Sequence, residues 1–199
     1  LAMTLIEDDP YRYLVGDAPP PIATLNGGKR TYYLATMSKC IWPSLRTAFV
    51  LPPPDVDGTH LRQALRTSGT GSALLLALAE QWIRSGTASH IAQEIQRETR
   101  ARQTLARSLL PEDAYAHPTG LHIWLPLPAH WNQHLFAHAL EDAKVAVACS
   151  ESFNASSNAC DAIRISTGGA HNQTMLRLAL IKVANLLKKD PRLGSRTIV

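Results

Sequence analysis

No apolar run in this chain is long enough to cross a bilayer. The longest, Ala73 to Ala79 with its neighbours, falls far short of the roughly 20 residues a helical span needs. The opening stretch does not read as a signal peptide, because Leu1 to Ile6 leads straight into acidic Glu7-Asp8-Asp9. Cysteine is scarce: Cys40, Cys149 and Cys160 are odd in number and lack CxxC spacing. That excludes a disulfide framework and reads as reduced thiols in a cytosolic protein. Nor is charge of one sign concentrated. The net charge is +4, with basic residues scattered over Arg84 to Arg107 and Lys188 to Arg196, a weaker pattern than the clustered face of a nucleic-acid binder. Internal repeats and low-complexity segments are lacking too.

What is present is an ordinary globular composition, 45% hydrophobic and 18% charged over 199 residues, enough for one large domain or two small ones. The segment Ala2 to Ile6 reads as a short buried strand delivering Glu7-Asp8-Asp9-Pro10-Tyr11 at its carboxyl end. Gly16 to Pro21 is a Pro-rich loop, and Asn26-Gly27-Gly28 a turn. Tyr32 to Ala35 and Thr47 to Leu51 read as strands. Helices follow at His60 to Thr67 and Ser72 to Arg84. A long polar helix, capped by Ser89 and reaching about Leu110, suits an exposed connection between two lobes. Beyond it come a strand at Leu121 to Leu125, a helix near Asn132 to Asp142, and strands at Val145 to Ala148 and Ala162 to Ser166. A last helix is marked by Leu176, Leu180, Val183 and Leu187. The natural cut gives regions 1–88 and 89–199, in an α/β chain that opens in mid-strand and reads as a fragment.

The chemistry concentrates around Lys39 and Arg46, two cations set between apolar strands. A free lysine amine, with pKa near 10.4, is almost entirely protonated at neutral pH. Enzymes make such an amine useful by burying it or by condensing it with a carbonyl as a Schiff base. Pyridoxal phosphate (PLP) needs such an amine, and also a carboxylate for its pyridine nitrogen, hydroxyls and an arginine for its phosphate, and a donor for its phenolic oxygen. The sequence offers Asp8 after one strand with Tyr11 three residues on. It also offers Thr36 and Ser38 just before Lys39, and Arg46 across the loop. Ligands of open α/β sheets sit at the carboxyl ends of strands, where Asp8 and Lys39 fall.

At these residues the chain resembles a known family. Glu7-Asp8-Asp9-Pro10-Tyr11-Arg12-Tyr13 and Thr36-Met37-Ser38-Lys39 with Arg46 are similar to the fold-type I PLP-dependent aminotransferases of class I/II. Within them the resemblance is to the kynurenine/aminoadipate group and to the MocR-type members of the GntR transcription regulators. Gly120 to Pro128 and Ala162-Ile163-Arg164-Ile165-Ser166 extend it through the C-terminal lobe. The resemblance implies the C-terminal part of an aspartate aminotransferase-like fold: a remnant of the large-domain sheet, a long linking helix and a small α/β domain. It implies Lys39 as the Schiff-base lysine, Asp8 at the pyridine nitrogen and Tyr11 at the phenolic oxygen. Thr36, Ser38 and Arg46 fall at the phosphate, and Arg164 at a ligand carboxylate. The departures are Ser44, near which the family usually has glycine, and Cys40, where a small or polar residue is usual. The family's other cofactor contacts lie upstream of Leu1, so the isolated chain is expected to bind PLP poorly.

Other residues carry blander readings. His130, His134 and His138 have the spacing of a helical ladder, but no carboxylate or cysteine completes a zinc set, while Leu135, Phe136 and Leu140 supply a core face. Asp55 and Asp57 lack the rest of a calcium loop, and Cys149 and Cys160 read as packed small residues. Trp42 either borders the pocket or is structural.

Two function classes follow from the resemblance. In one, the chain is part of an effector-sensing PLP domain of a MocR/GntR regulator, dimeric, responding to an amino acid or amine. Such a regulator binds DNA only through a winged-helix domain upstream. In the other it is part of an aminotransferase moving amino groups between an amino acid and a 2-oxo acid. The wording Trp124-Leu125-Pro126-Leu127-Pro128 favours the regulator.

Overall fold

The computed structural model describes residues 3–67, 71–155 and 160–190. The chain divides into two compact units, Leu1–Gln96 and Arg97–Val199. That division falls inside a long helix, beyond the cut near residue 88 drawn from composition.

The first unit is built on a three-stranded sheet in the order β1-β2-β3. Strand β1 (Leu5–Asp8) pairs in parallel with β2 (Thr31–Thr36), and β3 (Ala48–Leu51) runs antiparallel to β2. The Thr-Tyr-Tyr start of β2 is typical strand chemistry. Between β1 and β2 lie a 3-10 turn at Arg12–Leu14 and a four-residue helix, α1 (Ile22–Leu25). The turn after α1 needs positive φ, which Gly27 (φ 66) and Gly28 (φ 73) supply without a Cβ penalty. Helices α2 (Thr59–Thr67), α3 (Ala73–Arg84) and α4 (Thr87–Arg107) follow. The last begins at Thr87, ahead of the Ser89 expected as its cap, and ends at Arg107, short of Leu110.

In the second unit β4 (His122–Pro126), β6 (Ala162–Ser166) and β5 (Ala148–Cys149) form an antiparallel sheet in the order β4-β6-β5. The strand expected at Val145 to Ala148 is two residues, Ala148–Cys149. Side chains alternate across a pleated strand. Ile123, Leu125, Ile163 and Ile165 therefore enter the core, while Trp124 and Arg164 stand on the other face. Helices α5 (Gln133–Asp142) and α6 (Gln173–Leu187) supply the rest of that core. Leu176, Leu180, Val183 and Leu187 recur at helical spacing along α6. Each helix is capped as its sequence dictates: Asn132 accepts from the His134 N–H and Asn172 from the Met175 N–H, both at 2.9 Å.

Several expectations of side-chain placement are overturned: Leu5 and Ile6, read as part of a buried strand, are 36% and 68% exposed, and Cys160, read as packed, is exposed. Leu135 is 58% exposed, and Phe136 and Leu140, with Ala139 packed beside them, form the core face of α5. His130 precedes α5, so it does not share a helical face with His134 and His138. The long polar helix also hides one of its charges. Arg102 is buried, donating from Nη1 to the carbonyls of Thr167 and Ala170 at 2.8 Å each and from Nε to Glu98 at 2.7 Å.

Candidate functional site

Pairing in the first sheet gathers the predicted residues. Parallel register sets Asp8 opposite Leu34, and antiparallel register sets Ala48 opposite Thr36. The carboxyl ends of β1 and β2 therefore share one end of the sheet with the amino end of β3. Asp8, Tyr11, Thr36, Ser38, Lys39 and Arg46 all belong to that end.

Three buried side chains of low polarity shape the loop between β2 and β3. Met37, Cys40 and Leu45 are each 1–2% exposed. Met37 and Leu45 join Ala79 and Ala88 in a small core, with Leu75, Leu78 and Trp82 of α3 packed against it. Cys40 reaches the other way, its Sγ donating to the Pro10 carbonyl at 2.8 Å. Burial pushes the Cys40 thiol above its ordinary pKa, against a smaller opposing pull from the Tyr13 backbone. Lys39 and Arg46, set among these anchors, are left exposed, with Ser38 half-buried. The apolar runs flanking the two cations are thus what holds them out. Arg46 ends the 3-10 turn Pro43–Leu45 in the left-handed conformation (φ 48), a costly backbone state for a residue with a Cβ.

The acidic triplet separates into three roles. Glu7 is a helix cap at a distance: the Ile22 and Ala23 N–H groups donate to its Oε1 and Oε2 at 2.8 and 2.9 Å. Asp9 accepts from the Tyr33 hydroxyl at 3.2 Å and lies 3.9 Å from Arg12. Burial first, and the Asp9 charge second, raise the Tyr33 pKa to about 12. Asp8, between them, is exposed at the strand end.

Thr36 is engaged within the loop. Its hydroxyl donates to the Thr47 carbonyl at 2.8 Å and accepts from the Ser38 N–H at 3.1 Å. A phosphate contact from Thr36 requires giving up the bond to Thr47, whereas among the described residues no side-chain bond of Ser38 or Arg46 has to be broken. Chemically, this sheet end offers an amine, a carboxylate, a hydroxyl and a guanidinium. That donor set fits a phosphorylated aromatic aldehyde such as PLP, with Tyr11 on the turn that follows Asp8.

In the second unit Arg164 lies on the sheet face away from the core, directly across from Trp124 on β4 and Ala148 on β5. Its guanidinium carbon sits 4.5 Å from the ring centre of Phe153, in the 3-10 turn Ser150–Phe153. The Phe153 and Trp124 rings meet edge to face, 5.9 Å apart at 77°. His134 pairs with Glu151 at 3.2 Å. Among the described residues no group of three or more His, Cys, Asp or Glu side chains is placed to hold a metal.

Sequence reasoning missed the parts played by Glu7, Cys40 and Phe153. The EDDPY stretch offered three acids and nothing local to rank them, and Cys40 stood out only as a departure from the resembled pattern.

No family model matches the chain. It is 29% identical over 110 residues to the HTH-type transcriptional regulator YdfD of Bacillus subtilis, a match covering 54% of this chain and 23% of that protein. With the HTH-type transcriptional regulator YdcR of Escherichia coli it shares 29% identity over 133 residues, 63% of this chain and 28% of that one. An archaeal alanine:glyoxylate aminotransferase superposes with a TM-score of 0.80 at 20% identity, covering 94% of this chain and 48% of that chain. The kynurenine aminotransferase of Pyrococcus horikoshii, solved with PMP, superposes at 0.78 with 21% identity, covering 93% of this chain and 48% of the other. The chain thus spans about half the length of these enzymes and about a quarter of the regulators. Its fold is the C-terminal part of the aminotransferase fold. Among the described residues no helix is long and apolar enough to cross a membrane.

Proposed function

We propose that this chain is the C-terminal portion of a PLP-binding, effector-sensing domain in a cytoplasmic, homodimeric regulator of the MocR/GntR type. Lys39 is its Schiff-base lysine. One observation carries the reading: a parallel β1–β2 pair sets Asp8 and the Lys39 loop at the same sheet end, with Cys40 tying that loop to the turn after Asp8. The likeness to two HTH-type regulators supports the regulatory half.

PLP, when bound, supplies an electron sink for charge developing at the α-carbon of an amino compound. The residues of this chain then divide the work. Lys39 would hold the group covalently through Nζ, and its amine would be the base that moves a proton at that carbon. Asp8 would keep the pyridine nitrogen protonated by charge pairing, and Tyr11 would donate to the phenolic oxygen. Ser38 and Arg46 bind the phosphate, with Thr36 shaping the loop that presents them. Arg164 takes the carboxylate of the amino acid by a two-pronged contact. DNA is bound by an HTH domain outside this chain.

A second reading, part of an aminotransferase, is favoured by the superposition on enzymes at TM-scores near 0.8. Incubating the longer protein with PLP and a panel of amino acids separates the two. A sensor changes the cofactor absorbance without producing 2-oxo acid. Stoichiometric and then catalytic 2-oxo acid establishes the enzyme, and absence of any PLP uptake overturns both.

A further inference from the structure

The environment of Arg164 restricts how it can meet a carboxylate. Its Nε is buried and has no hydrogen-bond partner among the described residues. The guanidinium carbon stands over the Phe153 ring at 4.5 Å, and Trp124, the register partner of Arg164, braces that ring edge to face. A buried N–H without an acceptor is costly, so a side chain free to turn would move Nε toward water. The ring contact offers the compensating attraction, because a cation over an aromatic face gains electrostatic energy without using its in-plane N–H donors. A carboxylate can approach a guanidinium side-on, through Nε and one Nη, or end-on, through both Nη atoms. Burial of Nε closes the first approach.

We propose that Phe153, braced by Trp124, is a positioning residue that fixes Arg164 for end-on recognition of a carboxylate through Nη1 and Nη2. This rests on the reading of Arg164 as the carboxylate-binding residue. A surface arginine lying on a convenient ring is the plainer alternative. It leaves the orphaned Nε unexplained and makes no distinction between the two approaches.

The test is a titration of the 15N-labelled chain with sodium acetate at constant ionic strength, with acetamide as the neutral control. Arginine side-chain NMR signals are assigned by Arg164→Gln. The expected result is a saturable shift of the Arg164 Nη signals with acetate and not acetamide, while Nε stays nearly still. Phe153→Leu should weaken the acetate response about three- to tenfold, in line with loss of a cation–π contact. Phe153→Tyr should restore it, and thermal midpoints of both variants should stay close to the parent. A comparable shift at Nε, or an unchanged affinity in Phe153→Leu, overturns the positioning role and leaves the carboxylate reading standing. An Arg164 that ignores acetate altogether overturns the carboxylate reading itself. The wild-type comparison of Nε with Nη decides the mode of approach even if a variant folds poorly.

Discussion

The thiol of Cys40 donates to the carbonyl oxygen of Pro10 across thirty residues of chain, at 2.8 Å and buried from solvent. That bond joins the lysine loop to the turn after Asp8, the two segments that must hold a fixed relation if they grip one ligand. Cys40→Ala removes the bond and leaves a small void, and a loss of about 1–2 kcal/mol is expected in chemical denaturation. PLP affinity in the longer protein should fall along with it. The buried, pKa-raised thiol should also resist iodoacetamide in the native state and react once denatured.

Glu7 and Asp8 are adjacent but should answer differently. Glu7→Ala strips both carboxylate oxygens from the start of α1 and should cost about 1 kcal/mol of stability. Asp8→Asn removes an exposed charge and should leave stability within about 0.5 kcal/mol. It should nevertheless weaken PLP binding more than the Glu7 change does. Paired urea melts and PLP titrations of the two variants check this.

Arg46 holds a left-handed backbone that glycine adopts freely. Arg46→Gly should therefore fold at least as stably as the parent, within about 1 kcal/mol, while losing phosphate affinity. A variant that binds PLP as the parent does would remove Arg46 from the phosphate site.

Tyr33 provides a pH signature. Its folded pKa, about 12, lies above the unfolded value of about 10, so the unfolded chain releases the phenolic proton first. The stability this group contributes is complete below pH ~10 and is lost as pH rises toward 12. Tyr33→Phe should flatten the alkaline limb of the stability profile, and Asp9→Asn should lower the Tyr33 midpoint in an ultraviolet titration.

Arg102 is the structural arginine of the second unit. Arg102→Leu should destabilise by about 3 kcal/mol, since the carbonyls of Thr167 and Ala170 lose their donor and Glu98 keeps only its bond from Gln173. The hydrogen bond from Arg102 holds Glu98 below the usual carboxylate range. Glu98→Gln should accordingly blunt the loss of stability on acidification through that range.

Most of the longer elements were legible in the sequence because they follow from local pattern, whereas the gathering of Asp8 with the Lys39 loop was expected from the resemblance and the general placement of ligands at strand ends. Apolar strands deliver polar residues at their ends, and Leu176, Leu180, Val183 and Leu187 mark a helix face by spacing alone. What escaped depends on partners distant in the chain. Nothing near Glu7 says that it caps a helix fifteen residues on. Arg102 sits among exposed charges and is buried by carbonyls of the segment 167–170. Leu135 matches the apolar pattern of α5 yet points to solvent, and His130 shares the spacing of a helical ladder but precedes the helix that Asn132 caps. Arg164 was marked by its strand, whereas Phe153 needed the packing of a 3-10 turn over that strand.

Peptide mapping by mass spectrometry, after borohydride reduction of the longer protein incubated with PLP, tests the central claim most directly. The account predicts one phosphopyridoxyl group per chain, on Lys39, absent from Lys39→Ala and diminished in Asp8→Asn. Label distributed over surface lysines such as Lys29, Lys144 and Lys182, unchanged in Lys39→Ala, would contradict it.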